Sequence, residues 1–219
     1  APLLIAWVVI PNDQQYLLWF LSVALLAQAI LLYVGRWYKN ALEVSRRGPK
    51  KLIPLPLLSQ RRVNFSIGLL LLLIFSKYFY TAGIVSYFQF YTIQKFGLSE
   101  VQAQVYLFYF LIASALGTLL GGIFGDRMGR KYVIWFSILG AAPFALLLPH
   151  VGLQATAVLI VLIGLIISSA FPAILVYAQE LMPRKIGKVS GLFYGFAFGM
   201  GGLGSAVLGY IADISSIAY

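Results

Sequence analysis

The chain has 219 residues, 61% of them hydrophobic, 10% charged and none cysteine, with a mean hydropathy of +0.91. Soluble domains carry about 25% charged and about 45–50% apolar residues, so a soluble enzyme is excluded. Disulfides and cysteine metal sites are excluded with it, and the single His150 cannot build a histidine cluster; no metal site and no cofactor are expected. The formal charge of +10 raises nucleic acid as a partner, but in so apolar a chain the placement of the charges matters more than their sum.

A helix needs about 20 apolar residues to cross the ~30 Å hydrocarbon layer, with every backbone group bonded inside the helix. In chain order, residues 1–10 are too short to cross and lack a charged start or a cleavage site, so they read as the tail of a severed helix and not a signal peptide. Residues 14–35 supply one span, and a second runs from about Asn64 into the high eighties, interrupted by Lys77. Residues 101–125 and 189–212 supply one each, while 132–179 holds two, divided at Pro149, His150, Val151 and Gly152. The runs are continuous and Leu-rich, unlike the alternating segments of about 10 residues in an outer-membrane barrel. The expected class is all-α, a polytopic membrane helical bundle.

Fourteen of the sixteen basic residues fall in three alternate connections: 35–62, the turn near 126 and the turn near 184. Basic loops are retained on the cytoplasmic side, so these three are expected to be cytoplasmic. The 35–62 stretch reads as a solvated linker, with anionic-lipid contact a weaker addition, and nucleic-acid binding is not expected. Pro54 and Pro56 prevent a continuous helix through it. Three parts follow: 1–34 ending one helix bundle, 35–62 linking, and 63–219 forming a second bundle. Ser99 followed by Gln102 predicts a capping box at the start of the helix after Lys95.

The most specific motif is Gly122, Ile123, Phe124, Gly125, Asp126, Arg127, Met128, Gly129, Arg130, Lys131. In a short loop between two spans, this pattern resembles the signature loop of major facilitator superfamily transporters. The Asp sits at the positive end of the following helix, the glycines permit close helix approach, and the arginines pair with acids on neighbouring helices. A second run, Glu180, Leu181, Met182, Pro183, Arg184, Lys185, Ile186, Gly187, is similar to the one that ends helix ten in that superfamily. The resemblance makes Glu180 an ionic partner for Arg127 or Arg130 and assigns Gly122, Asp126, Arg127, Gly129, Arg130, Glu180 and Arg184 to gating.

Longer runs, at 71–80, 129–149, 168–181 and 191–209, resemble the fosmidomycin resistance subfamily of bacterial inner-membrane drug/proton antiporters. The resemblance implies that the chain covers the end of helix five through helix eleven of a twelve-helix transporter. Twelve spans of roughly 20 residues need around 400 residues with loops, so about half a transporter is expected here, completed by the missing helices of the same protein. It also implies a small-molecule substrate, an anionic antibiotic among the candidates, exchanged for protons.

Lys77 stands out because an ammonium near mid-membrane costs about 2.5–3.5 kcal/mol on insertion scales and normally faces a cavity or a partner. Lys77, Tyr80, Thr81, Ile84, Tyr87, Phe88 and Tyr91 fall on one helical stripe. Of these, Lys77, Tyr80, Thr81, Tyr87 and Tyr91, with Gln179, are the expected substrate-binding residues. A structural lysine pairing with an acid on a missing helix stays open. Pro172 predicts a bend. Gly187, Gly191, Gly195 and Gly199 recur every four residues and are expected to pack helices; Gly199, Gly201 and Gly204 lie inside an apolar helix and make no dinucleotide site.

No acid lies deep in a span: Asp13, Glu43, Glu100, Asp126, Glu180 and Asp213 fall in loops or near helix ends. The proton-carrying group is therefore expected in the missing half. Two other readings remain, a membrane-embedded lipid-modifying enzyme and a non-catalytic assembly subunit; the first needs paired acids, a histidine base or a metal cluster, and none is visible.

Overall fold

The structure is a computed structural model and describes residues 19–46 and 59–214. The helix tail expected at 1–10, Asp13, Pro54 and Pro56 lie outside the described residues. The chain divides into two units near residue 55.

In the first unit a single helix, α1 (Trp19–Arg46), is described. Its stretch Leu21–Lys39 is apolar and long enough to cross a membrane. The helix continues past residue 35 to Arg46, into the stretch read from its charges as a linker. Charge marks where a chain leaves hydrocarbon, whereas backbone hydrogen bonding can continue in water.

The second unit is an all-helical bundle, with no strand among the described residues. Its helices are α2 (Gln60–Phe96), α3 (Glu100–Met128), α4 (Arg130–Leu139), α5 (Ala141–Leu147), α6 (Leu153–Ser168), α7 (Ala170–Leu181) and α8 (Ile186–Ile214). Five segments here are long and apolar enough to cross, with α4–α5 and α6–α7 each serving as one interrupted span.

Local chemistry sets the boundaries. Ser99 and Gln102 form the reciprocal capping box, with Gln102 N–H donating to Ser99 Oγ at 3.3 Å and Ser99 N–H to Gln102 Oε1 at 3.1 Å. Gly97 ends α2 at φ +65° and Gly129 turns the chain between α3 and α4 at φ +95°, a region where side chains with Cβ are strained. The interruption of the α6–α7 span falls at Ser169, three residues before Pro172, and that of α4–α5 at Gly140, three before Pro143. The same cause serves both: a proline offers no N–H to the carbonyl four residues back and its ring crowds that carbonyl.

Two apolar clusters fill the bundle, one around Ile74, Ile174 and Phe193 and the other around Phe88, Phe110 and Ile160. Lipid tails are as apolar as these side chains, so close van der Waals fit, not escape from water, holds membrane helices together. The closest fit is on α3. A Cβ placed on Gly117 would collide with the Leu165 backbone, and one on Gly121 with the Ser169 backbone.

The expected packing repeat of Gly187, Gly191, Gly195 and Gly199 meets no neighbour among the described residues. A Cβ on any of the four would meet nothing within 4 Å. A glycine repeat records that close approach is possible; which helix comes close is decided by the partner's backbone.

Candidate functional site

Lys77 lies midway along α2 and is partly buried between α4 and α6. Its Nζ donates to Ser137 Oγ on α4 and, at 3.2 Å, to the carbonyl oxygen of Ile167 on α6. Ser137 is 1% exposed and donates in turn to the Ile134 carbonyl at 2.8 Å. Among the described residues no carboxylate pairs with Lys77; the ion pairs present belong to Arg130. Among the described residues, the partners of this amine are neutral dipoles.

Two cavities meet at this ammonium. One, of about 270 Å³, is lined by Ser76, Lys77, Tyr80 and Ser137 with the alanines Ala141 and Ala142. The other, of about 130 Å³, is lined by Lys77, Tyr78, Thr81, Thr118, Ser168 and Phe171. Beside the second, Tyr78 meets Phe171 edge-on at 5.5 Å and Phe198 at 6.2 Å, and Phe171 meets Tyr194 at 5.2 Å. This second pocket joins α2, α3, α6 and α7, and α8 supplies the outer rings Tyr194 and Phe198.

The stripe expected along α2 is divided among neighbours. Lys77, Tyr80 and Thr81 reach the cavities. Tyr87 donates to the Ser205 carbonyl on α8 at 2.7 Å, Tyr91 donates to the Leu148 carbonyl at 3.2 Å, and Phe88 is buried in the second cluster. Gln179 donates to Ser190 Oγ on α8 at 2.9 Å. Tyr78, Thr118, Ser168 and Phe171 were not singled out from the sequence: they sit on four helix segments, and a pattern along one helix carries no sign of them.

At the other motif, Arg130 on α4 pairs with Glu180 on α7 and contacts Asp126 at 3.5 Å. Asp126, Arg130 and Glu180 line a shared cavity of about 390 Å³ with Gly125, Gly129 and Tyr177. Of the two candidate arginines, the partner of Glu180 is therefore Arg130. Arg127 and Arg184 are exposed and make no ion pair with the described residues. Gly122 faces open space; Gly121 and Gly125 are the loop-proximal glycines turned to neighbours, Gly125 towards Ala173 at 3.6 Å.

Residues 1–206 match the family model of the Major Facilitator Superfamily. The chain belongs to that superfamily. It is 56% identical over 219 residues to the fosmidomycin resistance protein of Escherichia coli (strain K12), a match covering 99% of this chain and 53% of that protein. It is 38% identical over 219 residues to the uncharacterized MFS-type transporter YfnC of Bacillus subtilis (strain 168), covering 99% of this chain and 54% of the other. It is 24% identical over 230 residues to the cis,cis-muconate transport protein of Acinetobacter baylyi (strain ATCC 33305 / BD413 / ADP1), covering 99% and 54%. No solved structure matches it. The chain spans about half the length of the curated relatives it matches. Superfamily membership and the apolar helices make this a multi-pass membrane protein, and relatives named as transporters speak against the lipid-modifying enzyme.

Proposed function

We propose that the full-length protein is a secondary exporter of a small anionic antibiotic of the fosmidomycin kind, exchanged for protons in the bacterial inner membrane. In this reading residues 1–34 close the N-terminal bundle, 35–62 form the basic cytoplasmic linker and 63–219 belong to the C-terminal bundle. The two bundles rock around a central cavity, with substrate and proton occupancy biasing its inward and outward states.

The observation that carries the reading is Lys77, a membrane-embedded ammonium held by Ser137 Oγ and the Ile167 carbonyl without an acid among the described residues. Neutral dipoles only partly replace hydration, so an anion arriving in the adjoining pocket would supply the missing charge. Thr81 and Ser168 offer hydroxyls and Tyr78 and Phe171 an apolar wall, a mixture suited to a small amphiphile. The Arg130–Glu180 pair would fasten α4 to α7 in one state and release in the other. The 56% identity to a protein named for fosmidomycin resistance favours that drug class.

The test is fosmidomycin efflux from cells making the full-length protein with Lys77→Ala or Lys77→Arg. Loss of efflux with Ala and partial retention with Arg, at parental membrane levels, is the expected outcome. Parental efflux from a well-expressed Lys77→Ala protein rejects the role.

A further inference from the structure

A second cavity system lies away from Lys77, where α3 and α4 diverge from the Gly129 turn. It is a groove of about 320 Å³ walled by Leu120, Phe124 and Met128 of α3 and Tyr132 and Phe136 of α4, with Leu165 on its floor. Its volume is at the lower end of the ~300–1,000 Å³ typical of small-ligand sites. The walls are open to the surroundings: Met128 is 64% exposed and Tyr132 69%. Its one side-chain hydroxyl on the floor, Ser169 Oγ, already donates to the Ile166 carbonyl at 2.7 Å. A polar ligand would therefore find few partners beyond the Tyr132 hydroxyl, and an alkyl chain loses little by entering.

The groove leads to a surface of opposite character. Tyr132 lines both the groove and the polar cavity that holds Lys131, Arg130, Asp126 and Glu180. Both of those acids are engaged by Arg130. Lys131 and Arg127 are exposed and make no ion pair with the described residues. Arg127 follows Leu120 and Phe124 by seven and three positions, which places it on their face of α3, one turn nearer the helix end. An apolar slot inside the span thus ends at two cations that no acid among the described residues compensates, where the chain leaves the hydrocarbon.

We propose that this groove holds an acyl chain of an anionic phospholipid whose phosphate lies against Arg127 and Lys131. Another transmembrane helix is a poor occupant. Helices approach one another over small residues, and these walls are Phe124, Met128, Tyr132 and Phe136; the nearest glycine, Gly121, is already pressed against Ser169 of the α6–α7 span. The inference depends on membrane-spanning helices and the placement of charge, and is independent of the transport reading.

The test is native mass spectrometry of the purified full-length protein with an equimolar mixture of phosphatidylglycerol and phosphatidylcholine carrying identical chains. Preferential retention of phosphatidylglycerol is expected. The double substitution Arg127→Gln, Lys131→Gln should lower the preference about 30-fold, given the attraction of two juxtamembrane cations for anionic lipid, while Arg127→Lys, Lys131→Arg keeps it. Leu120→Trp, which fills the slot and leaves both cations, should release the phosphatidylglycerol as well; a parental melting temperature in each variant shows that folding is intact. Equal retention of the two lipids by the parent, retention unchanged by Leu120→Trp, or displacement of the lipid by inorganic phosphate overturns the proposal. So does a disulfide formed by Phe124→Cys with a cysteine on another helix of the full-length protein, which would place protein in the groove.

Discussion

Replacing Gly121 by Ala tests how the bundle is held together. The new Cβ would lie 2.5 Å from both the Cα and the carbonyl carbon of Ser169, whereas non-bonded carbons sit best at about 3.5–4.0 Å. Both colliding atoms are backbone, so no rotamer change gives relief and α3 must move about 1 Å from the α6–α7 span. That motion weakens the broadest helix contact in the unit, α3 against α6. Overpacking of this kind costs about 1–3 kcal/mol, against up to about 1 kcal/mol regained because Ala suits a helix better than Gly. A net loss of about 1–2 kcal/mol, or about 5–30-fold in the folded-to-unfolded ratio, is expected. The neighbouring Gly122→Ala is the control, since its Cβ meets nothing within 4 Å; it should be neutral or slightly stabilising. Adding Gly117→Ala to Gly121→Ala should cost less than the sum, because the first substitution has already opened the shared interface. The assay is reversible unfolding of the full-length protein in mixed micelles, and equal stability of Gly121→Ala and Gly122→Ala would refute the packing argument.

Breaking the Arg130–Glu180 pair with Glu180→Gln should change stability by no more than about 1 kcal/mol, since Glu180 is 56% exposed, yet shift inward- versus outward-facing accessibility measured by site-directed thiol labelling. The charge swap Arg130→Glu, Glu180→Arg should restore part of the parental distribution; no shift in either variant would remove the pair from gating. Lys95→Met deletes a donor to the carbonyls of Pro149 at 2.6 Å and Val151 at 3.2 Å and to Tyr91 Oη at 2.9 Å. It should loosen residues 148–152 by about 1 kcal/mol, seen as faster amide exchange there, and unchanged exchange would show that the lysine secures nothing.

Features set by local chemistry were readable from the sequence. The capping box needs only Ser99 and Gln102 three residues apart, and the span boundaries follow charge and proline. Pro172 announced its interruption; Pro143 causes the same one at Gly140 by the same mechanism and was passed over. Features set by neighbouring helices were not readable. The α2 stripe is a single face by helical spacing, but α8 takes Tyr87, Leu148 just past α5 takes Tyr91 and the core takes Phe88, leaving Lys77, Tyr80 and Thr81 at the cavities. Glycines recur every four residues on α8 and, as Gly117, Gly121 and Gly125, on α3. The sequence does not tell them apart, because the distinguishing atoms are the carbonyls of Leu165 and Ser169. The Arg130–Glu180 pair lies between these cases: the motif named the acid and two candidate arginines, and the position of Arg130 in the first turn of α4 beside α7 selects one.

The most direct measurement is uptake of labelled fosmidomycin by proteoliposomes containing the full-length protein, with and without an imposed pH gradient. Accumulation above equilibrium that requires the gradient, collapses with a protonophore and disappears with Lys77→Ala is the expected result. Equal uptake with and without the gradient, or gradient-driven uptake indifferent to Lys77, would contradict a proton-driven exporter that binds its anionic substrate at this lysine.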